Sequence, residues 1–203
     1  MSSADFEHWE KRYAASDYLY GTEPNAFLKA RASLLPKTGK ALAVADGEGR
    51  NGVWLAEQGL DVLSVDFSPT AQAKAKALAE RRGVAVSFLT ADVTAWDWPT
   101  AEFDVIVVIF IQFAGPPGRR RIFAGIRQAL KPGGLLLLQG YRTEQIAYGT
   151  GGPSEVENLY TEAMLREEFG SFGKLDIKAH DSVISEGSRH SGMAAVVDLV
   201  GWK

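Results

Sequence analysis

Between residues 41 and 56 the chain reads Ala-Leu-Ala-Val-Ala-Asp-Gly-Glu-Gly-Arg-Asn-Gly-Val-Trp-Leu-Ala, and few folds accept such a stretch. Residues 41 to 45 are continuously apolar, as a parallel strand covered on both faces must be, and Val53, Trp54, Leu55 and Ala56 resume with helix-like spacing. Gly47, Gly49 and Gly52 mark the switch from strand to helix. Residues without a Cβ permit the tight turn and let a ligand approach the backbone, while the free N–H groups of the following helix face that ligand. The pattern predicts a site for a nucleotide-like or carboxylate-bearing cofactor. Gly47-x-Gly49-x-x-Gly52 also fits the dinucleotide fingerprint, and a packing device with no ligand is the plainer alternative.

The downstream chain repeats strand and helix. Asp61 to Asp66 reads as the second strand, with Gly59 capping the helix before it. Asp66 follows the first glycine by 66 − 47 = 19 residues, close to the ~20 at which an acidic side chain meets ribose hydroxyls in nucleotide-binding βαβ units. Helix capping is the alternative for Asp66, but Ser68 and Pro69 already supply a cap and first-turn proline for a helix over 69–82. Residues 85–89 form a third strand, with Asp92 on the same rim. Residues 103–110 form a fourth strand, apolar but for Asp104, with a loop over 112–117 above it. A helix over 119–130 is stopped by Lys131-Pro132-Gly133-Gly134 before a fifth strand at 135–138. This alternation predicts right-handed crossovers and a mostly parallel sheet between two helical layers.

Both ends break the rhythm. Residues 5–35 are rich in aromatic side chains, of which Phe6, Trp9 and Tyr13 share a helical face expected to pack on the sheet. Tyr18-x-Tyr20-Gly21-x-x-Pro24 combines aromatics with turn residues, which suits either a pocket wall or core packing. At the other end a helix over 161–168 precedes strands at 175–185 and 193–202, joined through Glu186-Gly-Ser-Arg-His-Ser-Gly192 as an antiparallel hairpin. Residues 149–153 suggest a mobile surface loop.

Composition narrows the partners. With 203 residues, 46% hydrophobic and 23% charged, the chain suits one ordinary domain over residues 1–203, with residues 1–36 as an amino-terminal helical lid. A net charge of −3 disfavours nucleic-acid phosphates and anionic lipid, and the lone basic run, Arg119-Arg120-Arg121, reads as a solvated helix start. The absence of cysteine removes disulfides and thiolate chemistry. His8, His180 and His190 are too scattered to suggest a metal site, and no run approaches the ~18 apolar residues of a membrane span. The expectation is a cytoplasmic protein with a small-molecule partner and with neither nucleic acid nor membrane as partner.

Taken together, Asp46-Gly-Glu-Gly-Arg-Asn-Gly52, Asp66, Ala91-Asp92, Phe103-Asp104, Leu130-Lys-Pro-Gly-Gly134 and the terminal hairpin resemble the class I S-adenosylmethionine-dependent methyltransferases over nearly the whole chain. Gly49-Arg50-Asn51, with Trp9, Tyr13, Tyr20-Gly21 and Glu186-x-x-x-His190-x-Gly192, looks like the tellurite-resistance and thiopurine methyltransferase-like branch. Where that branch often has a small residue in the glycine loop, this chain has Glu48. The resemblance implies a Rossmann-like three-layer αβα sandwich whose seven-stranded sheet has the order 3-2-1-4-5-7-6, the last strand antiparallel.

It also implies S-adenosyl-L-methionine as cofactor. Asp46, Gly47, Gly49 and Asn51 would surround its methionine part, and Asp66 would hold the ribose. Phe67 would flank the adenine, with Asp92 and the Val93 amide at its polar edge. Ile109 would line it from the fourth strand and Trp9 would cover the sulfonium. His190, Tyr20 and Tyr141 are the candidate acceptor-side groups. His190 has an alternative reading as an exposed turn residue or a partner for Glu186. Two further functional classes compete, a nicotinamide-dependent oxidoreductase and a cofactor-binding protein without turnover. The fourth strand ends Val-Ile-Phe-Ile-Gln, without the Asn/Asp-Pro-Pro-aromatic signature of methyltransferases acting on amino groups of nucleic-acid bases, which points to a small-molecule acceptor.

Overall fold

The computed structural model describes residues 3–187 and 190–203, with side chains for 5–187 and 191–203. Helix α1 (Ser3–Tyr13) and a single turn, α2 (Ala26–Lys29), precede the first strand. There follow β1 (Lys40–Val44), α3 (Arg50–Glu57), β2 (Asp61–Asp66), α4 (Pro69–Arg82) and β3 (Ser87–Thr90). The second half runs β4 (Phe103–Ile109), α5 (Pro116–Ala129), β5 (Leu130–Tyr141), the short α6 (Gln145–Tyr148), α7 (Glu162–Phe169), β6 (Lys174–Glu186) and β7 (His190–Trp202).

The seven strands lie in the order β3-β2-β1-β4-β5-β7-β6. Strands β1 to β5 pair in parallel, and β7 is antiparallel to both neighbours, so the expected topology is the one observed. Because successive side chains point to opposite faces, the apolar runs divide between two cores. Leu42, Val44, Ile106, Val108, Leu136 and Leu138 meet Ile122 and Phe123 of α5 and Leu165 and Phe169 of α7. Ala41, Val105, Val107, Leu135 and Leu137 meet Trp54 and Leu55 of α3 and Phe27 and Leu28 of α2. A sheet covered on both faces is the reason these strands read as unbroken hydrophobic runs.

Several boundaries differ from the expectations. The third strand starts at Ser87 and α5 already at Pro116, where a proline suits the first helical turn. Lys131-Pro132-Gly133-Gly134 does end α5, but the same residues belong to β5, because the Gly133 N–H donates to the Lys203 carbonyl at 2.6 Å and the Lys203 N–H to the Gly134 carbonyl at 3.1 Å. The terminal strands extend inward to Glu186 and His190, which confines the connection to residues 187–189 and puts His190 in a strand. Phe6, Trp9 and Tyr13 do not pack on the sheet. Helix α1 lies on α4, where Tyr13 is buried with Ala71 while Phe6 stays 40% exposed.

One close approach gives a test of the helical layer. Trp98 lies flat against α5 at Gly125, where a Cβ would overlap the indole ring. Gly125→Val is therefore expected to cost about 1–3 kcal/mol by overpacking. Urea unfolding checks this, with a lower midpoint and an unchanged slope the expected result.

Candidate functional site

In an open α/β sheet, neighbouring connections part company where the strand order reverses, leaving a crevice beyond the carboxyl ends of the strands. Here the reversal lies between β1 and β4, and a cavity of about 480 Å³ opens there. The chain is strained at this rim. Ala45 and Phe110, the residues just past β1 and β4, have φ of 48° and 53°, in the left-handed region that side-chain-bearing residues seldom adopt.

The glycine loop builds the cavity floor. Gly47 has φ 56°, and a Cβ on it would stand 2.8 Å from the Tyr13 hydroxyl. Gly52 lets the Asp46 carboxylate sit over the first turn of α3, where a Cβ would collide with Asp46 Oδ2. Asp46 accepts hydrogen bonds from Ser64 Oγ at 2.9 Å and from the Gly52 N–H at 3.1 and 3.3 Å. Asp66 accepts from the Gly47 N–H at 2.8 Å and the Ser68 N–H at 2.9 Å, so one carboxylate sets both the loop and the start of α4. The carboxylate has lone pairs left for a ligand. Burial raises the pKa of Asp46 to about 7, against its hydrogen bonds from Ser64 and Gly52 and with help from the Asp66 charge. Burial likewise raises Asp66 to about 6, against its backbone hydrogen bonds and with help from Glu10.

The roof is the amino-terminal segment. Trp9, Arg12, Tyr13 and Tyr20 line the cavity. Trp9 stacks on Tyr13 with ring centroids 5.7 Å apart and carries the Arg12 guanidinium 4.6 Å above its ring, so one cation already lies against this indole. Three polar anchors hold the roof down. Glu10 accepts from Ser68 Oγ and, at 2.7 Å, from Thr70 Oγ1 at the start of α4. Burial tends to raise the Glu10 pKa, but these hydrogen bonds outweigh it and leave the group below the ordinary value. Lys74 donates to the carbonyls of Tyr13, Ala15 and Asp17 just at the end of α1, where a cation also complements the helix dipole. Lys74 pairs with Glu48, and Glu48 accepts from the Leu19 N–H at 2.7 Å. The Glu48 carboxylate thus fastens the roof to the glycine loop.

The third anchor is Arg50, which donates to the Tyr20 carbonyl at 3.2 Å and to Glu186 Oε2 at 2.7 Å, with both charged side chains under 10% exposed. Glu186 Oε1 accepts from Asn25 Nδ2 at 2.9 Å and from the Ala26 N–H at 3.2 Å. Asn25 reaches on to Gln139 at 2.8 Å, and its N–H donates to Asn51 Oδ1 at 3.0 Å. Gln139 meets Asp198, which also takes Arg31 and His180.

The far wall comes from the second half of the chain. Phe110 and Tyr141 tilt together with centroids 4.5 Å apart. Gln112 donates to the Tyr141 carbonyl at 2.8 Å and accepts from the Tyr141 N–H at 2.5 Å, joining the ends of β4 and β5. Residues 151–155 also line the cavity. The segment expected as a mobile surface loop is seated on Tyr141 through Gly152 and tied by Gln145 Nε2 to Thr150 Oγ1 at 3.0 Å and to the Gly151 carbonyl at 3.1 Å.

The cavity therefore brings together Trp9, Tyr20, Asp46, Gly47, Asn51, Asp66, Phe67, Ile109 and Tyr141 from the sequence-based candidates. Gly49 departs from expectation. It is not on the cavity wall, and its missing Cβ makes room for Ala75 of α4, 2.6 Å from where that atom would be. Asp92 and Val93 are not on the wall either. Asp92 accepts from the Thr94 N–H and hydroxyl at 2.9 and 2.7 Å, and the Val93 side chain belongs to the core. The His190 side chain lies outside the described residues, and its backbone faces Glu186 in the hairpin register. Arg12, Arg50, Asn25, Gln112 and Glu186 were not marked as site residues by the sequence. Only the Gly49-Arg50-Asn51 and Glu186 motifs held a signal for any of them. No group of three or more His, Asp or Glu suited to a metal occurs among the described residues, and no helix among them is long and apolar enough to cross a membrane.

Residues 41–134 match the methyltransferase domain family. Over 101 residues the chain is 33% identical to demethylmenaquinone methyltransferase of Thermus thermophilus, an alignment covering 49% of this chain and 46% of that protein. The chain thus spans about half the length of this curated relative. Among solved structures it is similar to one from work on the conversion of a disulfide bond into a thioacetal group during echinomycin biosynthesis, with a TM-score of 0.74, 20% identity, and 97% and 90% of the two chains covered. It is also similar to TehB from Haemophilus influenzae, with a TM-score of 0.70, 16% identity, and 98% and 66% covered.

The raised carboxylates predict a pH signature in the ligand-free protein. A carboxyl group with a raised folded-state pKa binds its proton more tightly when folded, so its stabilising contribution is complete below about 3.8 and is lost as pH rises towards about 6 for Asp66 and about 7 for Asp46. Urea unfolding between pH 4 and 8 tests this. The Asp46→Asn/Asp66→Asn double variant is expected to lose less stability over that window than the wild type.

Proposed function

We propose that the chain, whose residues 41–134 match the methyltransferase domain family, transfers a methyl group from S-adenosylmethionine to a small-molecule acceptor. The observation that carries this reading is the convergence of Asp46, Gly47, Asp66 and Phe67 on one side of a single cavity with an aromatic and amide wall opposite. When bound, S-adenosylmethionine supplies a methyl group on a positively charged sulfur.

The donor set fits that group. Asp66 keeps acceptor capacity for ribose hydroxyls, Asp46 and the Gly47 backbone suit the amino-acid part, Asn51 and Ile109 border it, and Phe67 offers a ring to a base. We assign Asp92 and Val93 to the adenine edge through their polar and backbone groups, and Gly49 to shaping the loop. Tyr20, Tyr141 and His190 are the acceptor-side groups, with His190 as the candidate proton acceptor. Orientation of the acceptor against the methyl group is the main catalytic contribution, and such positioning supplies up to ~7–11 kcal/mol.

Cavity size supports a small acceptor. Single-ligand pockets span ~300–1,000 Å³, and a cavity of about 480 Å³ holds cofactor and acceptor together only when the acceptor is small. A soft or readily ionised nucleophile, such as a thiol or a chalcogen oxyanion, needs little help from a base. A planar ring acceptor is the second reading. The Phe110–Tyr141 pair and the demethylmenaquinone acceptor in the relative's name support it.

Calorimetric titration is expected to detect S-adenosylmethionine and its demethylated product and to detect no nicotinamide dinucleotide. Preferential nicotinamide binding would overturn the reading. Asp66→Ala is expected to weaken the cofactor by about 1.5–3 kcal/mol with the fold intact by circular dichroism. Because the ionised carboxylates are the binding forms, affinity should fall as pH drops through about 7 and about 6. Methylation assays with thiols, selenite, tellurite, phenols, quinols, amines and oligonucleotides identify the acceptor class, and transfer confined to oligonucleotides would sink the small-molecule claim. Once an acceptor is known, His190→Ala is expected to lower turnover about 10- to 10⁴-fold at unchanged cofactor affinity.

A further inference from the structure

The two arginines of the cavity differ in charge balance. Arg50 is neutralised by Glu186 at 2.7 Å. Arg12 has no carboxylate within salt-bridge distance among the described residues, although it is half-buried on the cavity roof. Its guanidinium is nonetheless held in place, stacked 4.6 Å above the Trp9 ring and donating to the Tyr20 hydroxyl at 3.3 Å. A planar guanidinium has five N–H donors, so most remain for a ligand, and a pre-oriented fork suits a carboxylate.

The other charges at the cavity are committed. Asp46 and Asp66 are held by Ser64, Gly52, Gly47 and Ser68. Glu155, on the far wall, is exposed and takes the Ser154 hydroxyl at 2.8 Å, and water screens an exposed charge far more than one on a half-buried roof. His8, also on the wall, is exposed. The aromatic neighbours of Arg12 supply orientation without cancelling its charge, which distinguishes it from a structural ion pair.

We propose that Arg12 is the anion-recognising residue of this cavity and takes a carboxylate from a bound ligand. The inference rests on the methyltransferase reading, which offers two sources for that carboxylate, the amino-acid end of the cofactor and an anionic acceptor. Either source makes Arg12 a binding residue contributed by the roof of the cavity.

Binding measurements on Arg12→Gln and Arg12→Lys separate the sources without a known acceptor. S-adenosylhomocysteine is titrated beside its decarboxylated analogue, and protein saturated with S-adenosylhomocysteine is then titrated with benzoate and with neutral benzamide. If the cofactor is the source, Arg12→Gln weakens S-adenosylhomocysteine about tenfold, Arg12→Lys recovers part of the loss, and the decarboxylated analogue is unaffected. If the acceptor is the source, both nucleosides bind as before and Arg12→Gln removes the preference for benzoate over benzamide. Equal behaviour of wild type and Arg12→Gln towards all four probes overturns the proposal while leaving the methyltransferase reading intact. A wild type that binds no S-adenosylhomocysteine overturns that reading, and this inference with it.

Discussion

A buried ion pair between residues 136 positions apart, Arg50 and Glu186, holds the arrangement at the site. Arg50 begins the helix behind the glycine loop, Glu186 ends β6, and the Tyr20 carbonyl between them belongs to the cavity roof. Taking two charges out of water is costly, and such a pair is seldom the cheapest way to hold segments together. Its use here is directional. Asn25 and the Ala26 N–H satisfy the remaining oxygen of Glu186, and Gln139 and Asp198 extend the chain of polar contacts across the sheet. An apolar contact would tolerate sliding. A hydrogen-bonded charge pair tolerates one register of roof, loop and hairpin.

The cavity roof is fastened elsewhere by the same physics at two helix ends. Glu10 meets the hydroxyls that start α4, where an anion is favoured, and Lys74 meets the carbonyls that end α1, where a cation is favoured. Glu48 joins Lys74 to the glycine loop. The loop is thus coupled to the roof through Glu48 and Arg50, and to β2 through Asp66. A ligand that draws on Asp46 and Asp66 therefore acts on parts whose positions already depend on one another. Their raised pKa values express the same economy, because burial disfavours the charged forms until a hydrogen-bonding or cationic partner arrives.

Much of the architecture was legible from residues 41–138 and the final hairpin. The continuous apolar runs identified parallel strands because burial on both faces leaves no room for alternation, and the glycine turn with Asp66 located one side of the cavity. Local rules fared less well where pairing partners decided the outcome. Lys131 to Gly134 reads as a helix stop and is also strand, since the chain terminus pairs with it. Gly49 reads as a ligand-facing glycine and instead admits Ala75.

By itself, then, the sequence determined the layer order and the carboxylates at the carboxyl ends of the first two strands, because these follow from period, turn chemistry and spacing along short stretches of chain, while the strand order that opens a crevice between β1 and β4 was implied by the resemblance. Only the tertiary structure decided the roof and the far wall of the cavity. Asn25, Gln112 and Glu186 gain their roles from partners as far as 161 residues away, and no local pattern encodes which distant group will satisfy a buried charge.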